Sequence, residues 1–243
     1  MDLQVCVNGA RSVSEHPRLS SDASEVAEEA AAAVDAGAGS VHLHPKDADG
    51  TDTLDEDCVA HWVREVRRRC PGVPVGVTTG AWIAPDVDRR VAAIAAWSTM
   101  PDFASVNWHE QGAEAVAAVL LEHGVGIEAG IWHLDGLRAW QRSALRSQCL
   151  RVLIELPDIG DVDAVRQHAE SLVTGVRRVA PGSSILLHGE ERSTWPAIDL
   201  AVEAELPTRI GLEDTLTLPD GTPASGNAQL VEEVVRCFGR RAR

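Results

Sequence analysis

The sequence is poor in the features that mark membrane proteins and nucleic-acid-binding proteins. Its 243 residues contain no apolar stretch of the roughly 18 residues that a membrane span needs, and no charged-then-apolar leader opens the chain. Lys and Arg number 22 against 37 Asp and Glu, so the formal net charge is −15 and no basic stripe suits nucleic acid. These absences predict a soluble, cytoplasmic protein that binds neither nucleic acid nor a membrane surface.

Cysteine patterns are also missing. The five cysteines are an odd number, widely spaced and never in a CxxC pair, so we expect them to be reduced and mostly buried small hydrophobic residues. No GxGxxG turn follows the first apolar run, which disfavours a dinucleotide-binding open sheet.

What the sequence does contain is a regular alternation of short β-branched runs and longer Ala-rich stretches of helical period. The predicted strands are 3–7, 41–44, 73–77, 103–106, 126–129, 151–155, 184–188 and 209–212. The predicted helices are 21–36, 55–69, 86–97, 112–122, 136–145, 161–178, 194–204 and 225–237. Eight strand–helix units in this length of chain predict a single α/β domain over residues 1–243, folded as a (β/α)₈ TIM barrel.

Active sites of such barrels lie at the carboxyl ends of the strands, and several of those ends carry polar residues here. His42 and His44 are two positions apart on the second strand, so both side chains face the same way. Zinc binds imidazole nitrogens together with a carboxylate. The eighth strand lies beside the first and second once the barrel closes, so Glu213 is within reach as a third ligand. The alternative for His-x-His is a hydrogen-bonded pair in the core.

Three further charged residues stand near these histidines. Lys46 is the only lysine in the chain and comes four residues after His42, although it is also explained as an ordinary loop cation. Arg209 and Glu213 face the same side of the eighth strand, and Asp214 follows directly. A carboxylate beside a guanidinium is held ionised, which suits a general base and equally suits a structural salt bridge.

Other strand-end residues carry weaker signals. His188 and Glu128 could line a pocket, but a hydrogen-bonded structural role is the commoner one for such residues. Trp82, Trp108 and Trp195 come just after strand ends, where packing in the core or at an interface is the more frequent use of tryptophan.

Several segments together resemble the β-keto acid cleavage enzyme family. They are Asn8-Gly9-Ala10 with Pro17-Arg18-Leu19, Val41-His42-Leu43-His44, Thr78-Thr79-Gly80, Ala104-Ser105-Val106-Asn107, Arg209-Ile210-Gly211-Leu212-Glu213-Asp214, and Ser225 with Asn227-Ala228-Gln229-Leu230-Val231. The resemblance runs nearly from end to end.

The resemblance implies a metal-dependent enzyme that joins a β-keto acid to acetyl-CoA and cleaves the adduct to acetoacetate and a new acyl-CoA. It implies Zn²⁺, or another divalent ion, on His42, His44 and Glu213, with Asp214 and Arg209 as a catalytic pair. It implies a homo-oligomer, commonly a tetramer. It assigns no particular residue to CoA.

Substrate contacts are expected from residues that follow the strands, and some of these depart from the family pattern. The predicted substrate-binding residues are Arg11, Lys46, Thr78, Thr79, Asn107 and Glu110. Arg11 stands where the family carries a glutamate that holds an amine, Lys46 replaces an arginine, and Glu110 replaces a threonine. The first change reverses charge, so an acidic or neutral keto acid is expected in place of an amino-substituted one.

Two other functions fit the same residues. A metal-dependent lyase or aldolase that acts on a small keto or hydroxy acid without CoA would use the same metal and base, and activity independent of acetyl-CoA would identify it. A non-catalytic metal-binding barrel would be favoured if the purified chain bound no metal and Asp214 stood away from the pocket.

Overall fold

Eight strands alternate with eight helices along the chain in a computed structural model that describes residues 2–241. The strands are β1 Leu3–Cys6, β2 Ser40–Leu43, β3 Val75–Thr78, β4 Phe103–Asn107, β5 Gly126–Ile131, β6 Arg151–Leu156, β7 Ile185–Gly189 and β8 Thr208–Ile210. The helices are α1 Ala23–Asp35, α2 Glu56–Arg69, α3 Val87–Ala95, α4 Ala113–Glu122, α5 Leu134–Arg142, α6 Val162–Val179, α7 Thr194–Ala204 and α8 Asn227–Arg241.

The strands form one parallel sheet that curls almost into a closed barrel. Its order is β7-β6-β5-β4-β3-β2-β1-β8, with parallel pairing at every step. The two edge strands meet where Leu187 donates its backbone N–H to Pro207 O at 3.0 Å and Thr208 Oγ1 donates to Leu187 O at 2.7 Å. The predicted (β/α)₈ fold is therefore confirmed.

Side-chain alternation divides each strand between two environments. Val5, Val41 and Val77 belong to the apolar core that the barrel shares with its helices, and each is fully buried. The intervening positions, such as Gln4 and His42, are also buried but polar. Because residues alternate along a strand, these polar side chains fill the inside of the barrel.

The helix starts follow local capping chemistry. Asp22, Asp55 and Asp86 each accept backbone N–H groups of the first turn, at the ends of α1, α2 and α3. Predicted α5 begins at residue 136, but the helix starts at Leu134 because the side chain of His133 accepts from Gly136 N. Two short 3₁₀ turns, Arg146–Gln148 and Glu191–Ser193, were not predicted. Among the described residues, no helix is both long enough and apolar enough to cross a bilayer.

Candidate metal centre and active site

Two histidines and a glutamate converge at the carboxyl ends of β2 and β8. Ligand atoms of His42, His44 and Glu213 all lie within 4.8 Å of one another. His42 Nε2 is 3.9 Å from Glu213 Oε2, and His44 Nε2 is 3.6 Å from Glu213 Oε1. Such spacings exceed direct hydrogen-bond lengths and leave room for a cation among the three groups. The sequence predicts that these three residues lie together, and the structure shows them close to one another.

The donor set fits a divalent metal ion. His42 Nδ1 and Glu213 Oε2 are buried without a hydrogen-bond partner among the described residues. An unsatisfied buried polar atom is costly, so Glu213 Oε2, which is 3.9 Å from His42 Nε2, indicates a missing partner at this point. Two imidazoles with one carboxylate is a donor set used in catalytic zinc sites, where a fourth position stays open.

The two histidines sit in opposite electrostatic environments although they are two residues apart. Burial lowers the pKa of His42 to about 4, so that ring is neutral at pH 7. Burial also opposes protonation of His44, but the carboxylates of Glu213 and Asp52 outweigh it and raise the pKa to about 9. Without a metal, a protonated His44 therefore balances the charge of Glu213.

Arg209 organises the carboxylates on the β8 side. Its Nη2 donates to Glu213 Oε1 at 2.8 Å and to Asp214 Oδ1 at 3.0 Å, while its Nε donates to His188 Nδ1 at 3.2 Å. Burial acts to raise the pKa of Asp214, but Arg209 and His188 hold it below its usual value. Cys6 Sγ donates to the other Asp214 oxygen at 2.7 Å. Asp214 is thus an ionised and fully buried carboxylate.

A cavity of about 430 Å³ opens over these groups. His42, His44, Glu213 and Arg209 line it, whereas Asp214 lies behind Arg209 and is not part of the wall. The cavity is large enough for a small acid and opens to solvent.

The six predicted substrate-binding residues divide into two groups. Arg11, Thr78 and Asn107 line the cavity. The others make structural contacts and do not form its wall: Lys46 Nζ donates to Gly9 O at 2.7 Å, and Thr79 Oγ1 donates to Ser105 O at 2.7 Å.

Glu110 belongs to this second group. One carboxylate oxygen accepts from Ala81 N at 2.9 Å, and the other accepts from Asn107 Nδ2 at 3.0 Å. Glu110 therefore ties the loop after β3 to the end of β4 and orients the Asn107 amide, which does line the cavity. Its direct contact with substrate stays a prediction.

Arg11 is surrounded by acceptors. Its Nη1 donates to Glu15 at 3.0 Å, its Nη2 to Glu191 at 2.5 Å, and its Nε to Glu213 O at 3.1 Å. Both carboxylates also line the cavity. The positive charge that the sequence places here is therefore compensated within the fold.

Sequence reasoning missed a second acidic pair in the cavity wall. Glu155 lies near the end of β6, Glu190 follows β7, and both line the cavity close enough for their carboxyl groups to interact. Burial and the neighbouring Glu155 raise the pKa of Glu190 to about 8. Burial opposes ionisation of Glu155, but His188 and Arg209 lower its pKa below the usual value. The pair consequently carries one proton at neutral pH, held on Glu190.

The weaker sequence candidates have structural contacts. His188 is 1% exposed and lies between Asp214 and Glu155, 3.5 Å from each. Glu128 is fully buried and paired with Arg151 inside the barrel. Trp82 alone among the three tryptophans singled out lines the cavity.

Comparison with known proteins identifies the family of the chain. A family model described as BKACE, beta-keto acid cleavage enzyme, matches residues 2–243. The 3-keto-5-aminohexanoate cleavage enzyme of Acetoanaerobium sticklandii is 24% identical over 255 residues, covering 98% of this chain and 92% of that protein. The 3-oxoadipate:acetyl-CoA acetyltransferase of Cupriavidus necator is 26% identical over 235 residues, covering 90% and 81%.

A solved structure shows the same fold. The binary complex of ObcA with oxaloacetate superposes with a TM-score of 0.73 at 20% identity, over 93% of this chain and 64% of ObcA. The chain therefore spans a little under two thirds of the length of ObcA. Because the family match runs almost from end to end and the barrel places its histidines and glutamate in one cavity, the chain belongs to the beta-keto acid cleavage enzyme family.

Proposed function

We propose that this protein is a zinc-dependent enzyme that condenses a β-keto acid with acetyl-CoA and cleaves the adduct to acetoacetate and a new acyl-CoA. The observation that carries the proposal is the convergence of His42, His44 and Glu213 on the cavity, with the buried Oε2 of Glu213 unsatisfied among the described residues. When bound there, a divalent ion would polarise a carbonyl as a Lewis acid. The names of the acetyltransferase and cleavage-enzyme relatives support the choice of reaction.

The residues around Arg209 supply the groups for proton transfer. Asp214 is held ionised by Arg209 and is the final acceptor of the proton removed from the carbon between the ketone and the carboxylate. Because Asp214 is buried behind Arg209, it exchanges protons with the cavity through its neighbours. His188 stands between Asp214 and the cavity-lining Glu155, 3.5 Å from each, and supplies that connection.

The tail of the keto acid meets an acidic wall. Arg11 is engaged by Glu15 and Glu191, and Glu155 and Glu190 add a further negative charge. An anionic tail would lack a free cation to pair with and would be repelled. The charge balance of the wall therefore favours an uncharged tail over an acidic one. Two six-carbon keto acids, 3-oxohexanoate and 3-oxoadipate, test this because they differ only in the terminal group.

Two further parts of the proposal are a homo-oligomer and a cytoplasmic location. The family resemblance suggests the homo-oligomer, commonly a tetramer, and the sequence features described above suggest the location. Sedimentation of the purified chain at several concentrations tests the first part.

The decisive experiment combines metal analysis with a keto-acid panel. Purified protein is expected to hold about one zinc per chain and to convert a β-keto acid only when acetyl-CoA is supplied. Turnover without acetyl-CoA would select a CoA-independent lyase or aldolase instead. Absence of both metal and turnover would select a non-catalytic barrel.

His44→Ala is expected to abolish both bound metal and turnover, because it removes one of the three proposed metal ligands and leaves only His42 and Glu213. His61→Ala is the matched control, because His61 is an exposed histidine on α2 that has no role in the cavity. Metal content by mass spectrometry and acetoacetate formation are the measurements. A fully active His44→Ala enzyme would contradict the assignment.

A further inference from the structure

The loop after β2 folds back on itself beneath the metal centre. Asp47 begins a tight turn in which its Oδ1 accepts from Asp49 N and Thr51 N, each at 2.9 Å. Gly50 has φ +78°, a left-handed conformation that glycine adopts without strain. The chain then returns antiparallel, pairing Lys46 with Asp52. This hairpin brings the side chain of Asp52 back to the end of the strand that carries the two histidines.

Three donors from two loops and one strand end converge on the carboxylate of Asp52. His44 Nδ1 is 2.9 Å from Oδ2, and the indole Nε1 of Trp82 donates to the same oxygen at 2.9 Å. The ammonium of Lys46 donates to Oδ1. The side chains of His44, Lys46 and Asp52 are each about 5–6% exposed, so these contacts are shielded from water.

The chemistry of the carboxylate decides which form His44 takes. Asp52 accepts from the ammonium of Lys46 and from the indole N–H of Trp82, and a neighbouring cation favours the ionised form of a carboxyl group. An ionised carboxylate only accepts hydrogen bonds, so the Nδ1 of His44 must carry a proton. The other ring nitrogen, Nε2, faces Glu213 at 3.6 Å and is the atom available to a metal.

We infer that Asp52 is the positioning residue of the metal centre: its carboxylate fixes His44 in the Nδ1-protonated tautomer with Nε2 directed at the metal position, and it links Trp82 to that position. The inference rests on the proposed metal centre and adds a residue outside the ligand set. Carboxylate partners of this kind orient a metal-bound histidine and increase its basicity. Lys46, the single lysine, offsets the charge of Asp52 and closes the hairpin.

The fluorescence of Trp82 offers a way to detect metal binding at His44. Its ring stacks on His44 with centroids 6.0 Å apart and planes inclined by 23°, and the residue is 48% exposed at the rim of the cavity. A divalent ion on His44 introduces the largest charge in the neighbourhood. The field at the stacked indole must therefore change when the metal binds, and the emission of Trp82 is expected to change with it.

The first test measures zinc affinity without any substrate. Zinc is titrated into the metal-free full-length protein in competition with a chromogenic chelator. Asp52→Asn keeps the size of the side chain but removes its charge, so the amide no longer requires a proton on Nδ1. We expect zinc binding to weaken about 10- to 100-fold. Circular dichroism and the Tm of the metal-free variant show whether the fold is retained.

The second test separates the indole N–H from the ring. Trp82→Phe keeps an aromatic face on His44 but loses the hydrogen bond to Asp52, so the zinc-dependent emission change is expected to disappear while zinc still binds, about two- to tenfold more weakly. Trp195→Phe is the matched control. Trp195 Nε1 donates to Thr217 O, at a distance of 2.9 Å, and takes no part in the contacts of the metal position. That control should retain both the affinity and the emission change.

Each result decides the inference. Equal zinc affinity of Asp52→Asn and the unaltered protein would overturn the positioning role, and an emission change that survives Trp82→Phe would overturn the link to Trp82. A protein that binds zinc with the expected losses but converts no β-keto acid would refute the proposed reaction and leave the inference standing. Failure of the unaltered protein to bind zinc at all would overturn the inference together with the metal centre.

Discussion

Inside the barrel, one pattern of two histidines produces two different side-chain environments. His42 is enclosed, its Nδ1 has no hydrogen-bond partner within residues 2–241, and burial lowers its pKa to about 4. His44 has carboxylates on both sides, Glu213 at Nε2 and Asp52 at Nδ1, and they raise its pKa to about 9. The sequence spacing predicts that both rings face the same way, but only the loop that returns Asp52 distinguishes them.

The residues of the centre were therefore predictable to different degrees. His42, His44, Glu213, Arg209 and Asp214 lie on or directly after predicted strands, and the period of two fixes which way each one faces. Asp52 depends on a hairpin formed by loop residues, and loop conformation does not follow from a periodic pattern. The Glu155–Glu190 contact joins the ends of two neighbouring strands, and strand ends are predicted only to within a few residues.

Glu190 gives a residue-scale prediction about pH. The fold raises its pKa from 4.5 to about 8, so the folded state holds a proton that the unfolded chain loses. The charged groups that act on it are Glu155, Asp214 and His188. Between about pH 4.5 and 8 the unfolded chain ionises at this residue while the folded protein keeps its proton. The free energy of unfolding consequently falls progressively as pH rises through this range.

Glu190→Gln keeps the shape of the side chain but cannot ionise. The variant is expected to be more stable than the parent at pH 9, by at least about 1 kcal/mol or 2–4 °C in Tm, with the gain shrinking towards pH 5. Thermal unfolding across this pH range, with zinc present throughout, measures the difference. A gain that is constant with pH would show that Glu190 does not titrate as described.

Among the elements, β8 shows how closely backbone packing controls the site. It is only three residues long, yet the residues that follow it supply Glu213 and Asp214. Sequence patterning placed this strand at 209–212, one residue later than its true start and two later than its end. The strand stops early because the chain turns at Gly211: Asp214 N and Thr215 N both donate to Gly211 O, at 3.0 and 3.1 Å.

Gly211 also marks a close approach between two strands. A Cβ added there would lie 1.8 Å from Cys6 O and 2.6 Å from Cys6 C. Those atoms belong to the backbone of β1, so no side chain can move aside to relieve the clash. Glycine is required at this position because only it lets β8 lie so close to β1. The glycine of the Arg209-to-Asp214 segment thus has a structural cause that sequence alone did not supply.

Gly211→Ala is expected to separate β8 from β1 and displace Glu213 from the two histidines. The variant should lose bound zinc and most activity, and its free energy of unfolding should fall by about 2 kcal/mol or more. Gly239→Ala is the matched control on α8, where an added Cβ meets nothing within 4 Å. Alanine there should leave zinc content unchanged and stabilise the helix by up to about 1 kcal/mol. Normal zinc content in Gly211→Ala would refute this explanation.

Considered as a whole, the barrel contains a second polar layer below the metal centre. Glu128 on β5 is fully buried, and its Oε1 accepts from Arg151 Nε at 2.8 Å, Arg151 Nη2 at 2.6 Å and Gln4 Nε2 at 2.8 Å. Gln4 lies on β1 and Arg151 on β6, so the carboxylate joins strands from opposite sides of the barrel. The alternation that predicted the barrel also predicts inward positions, but it does not predict that charged residues occupy them.

A substitution in this polar layer is expected to lower the stability of the protein without removing its metal. Arg151→Met leaves the carboxylate of Glu128 buried with Gln4 as its one remaining donor in the described part of the chain, and an uncompensated buried charge costs about 3–5 kcal/mol. That loss is a large share of the 5–15 kcal/mol by which a typical domain is stable. Urea unfolding measures it, and zinc content at low temperature is expected to stay normal because no metal ligand contacts Arg151.

The same variant can be corrected by removing the charge rather than by restoring the arginine. Glu128→Gln combined with Arg151→Met eliminates the unpaired carboxylate, so the double variant should recover at least about half of the lost stability although it lacks two native side chains. If the double variant is as unstable as the sum of the two single changes, packing of Arg151 against Phe103, 5.4 Å away, outweighs its charge. Recovery would show that charge neutralisation across the barrel interior, rather than the shape of the arginine, is what the fold requires at this position.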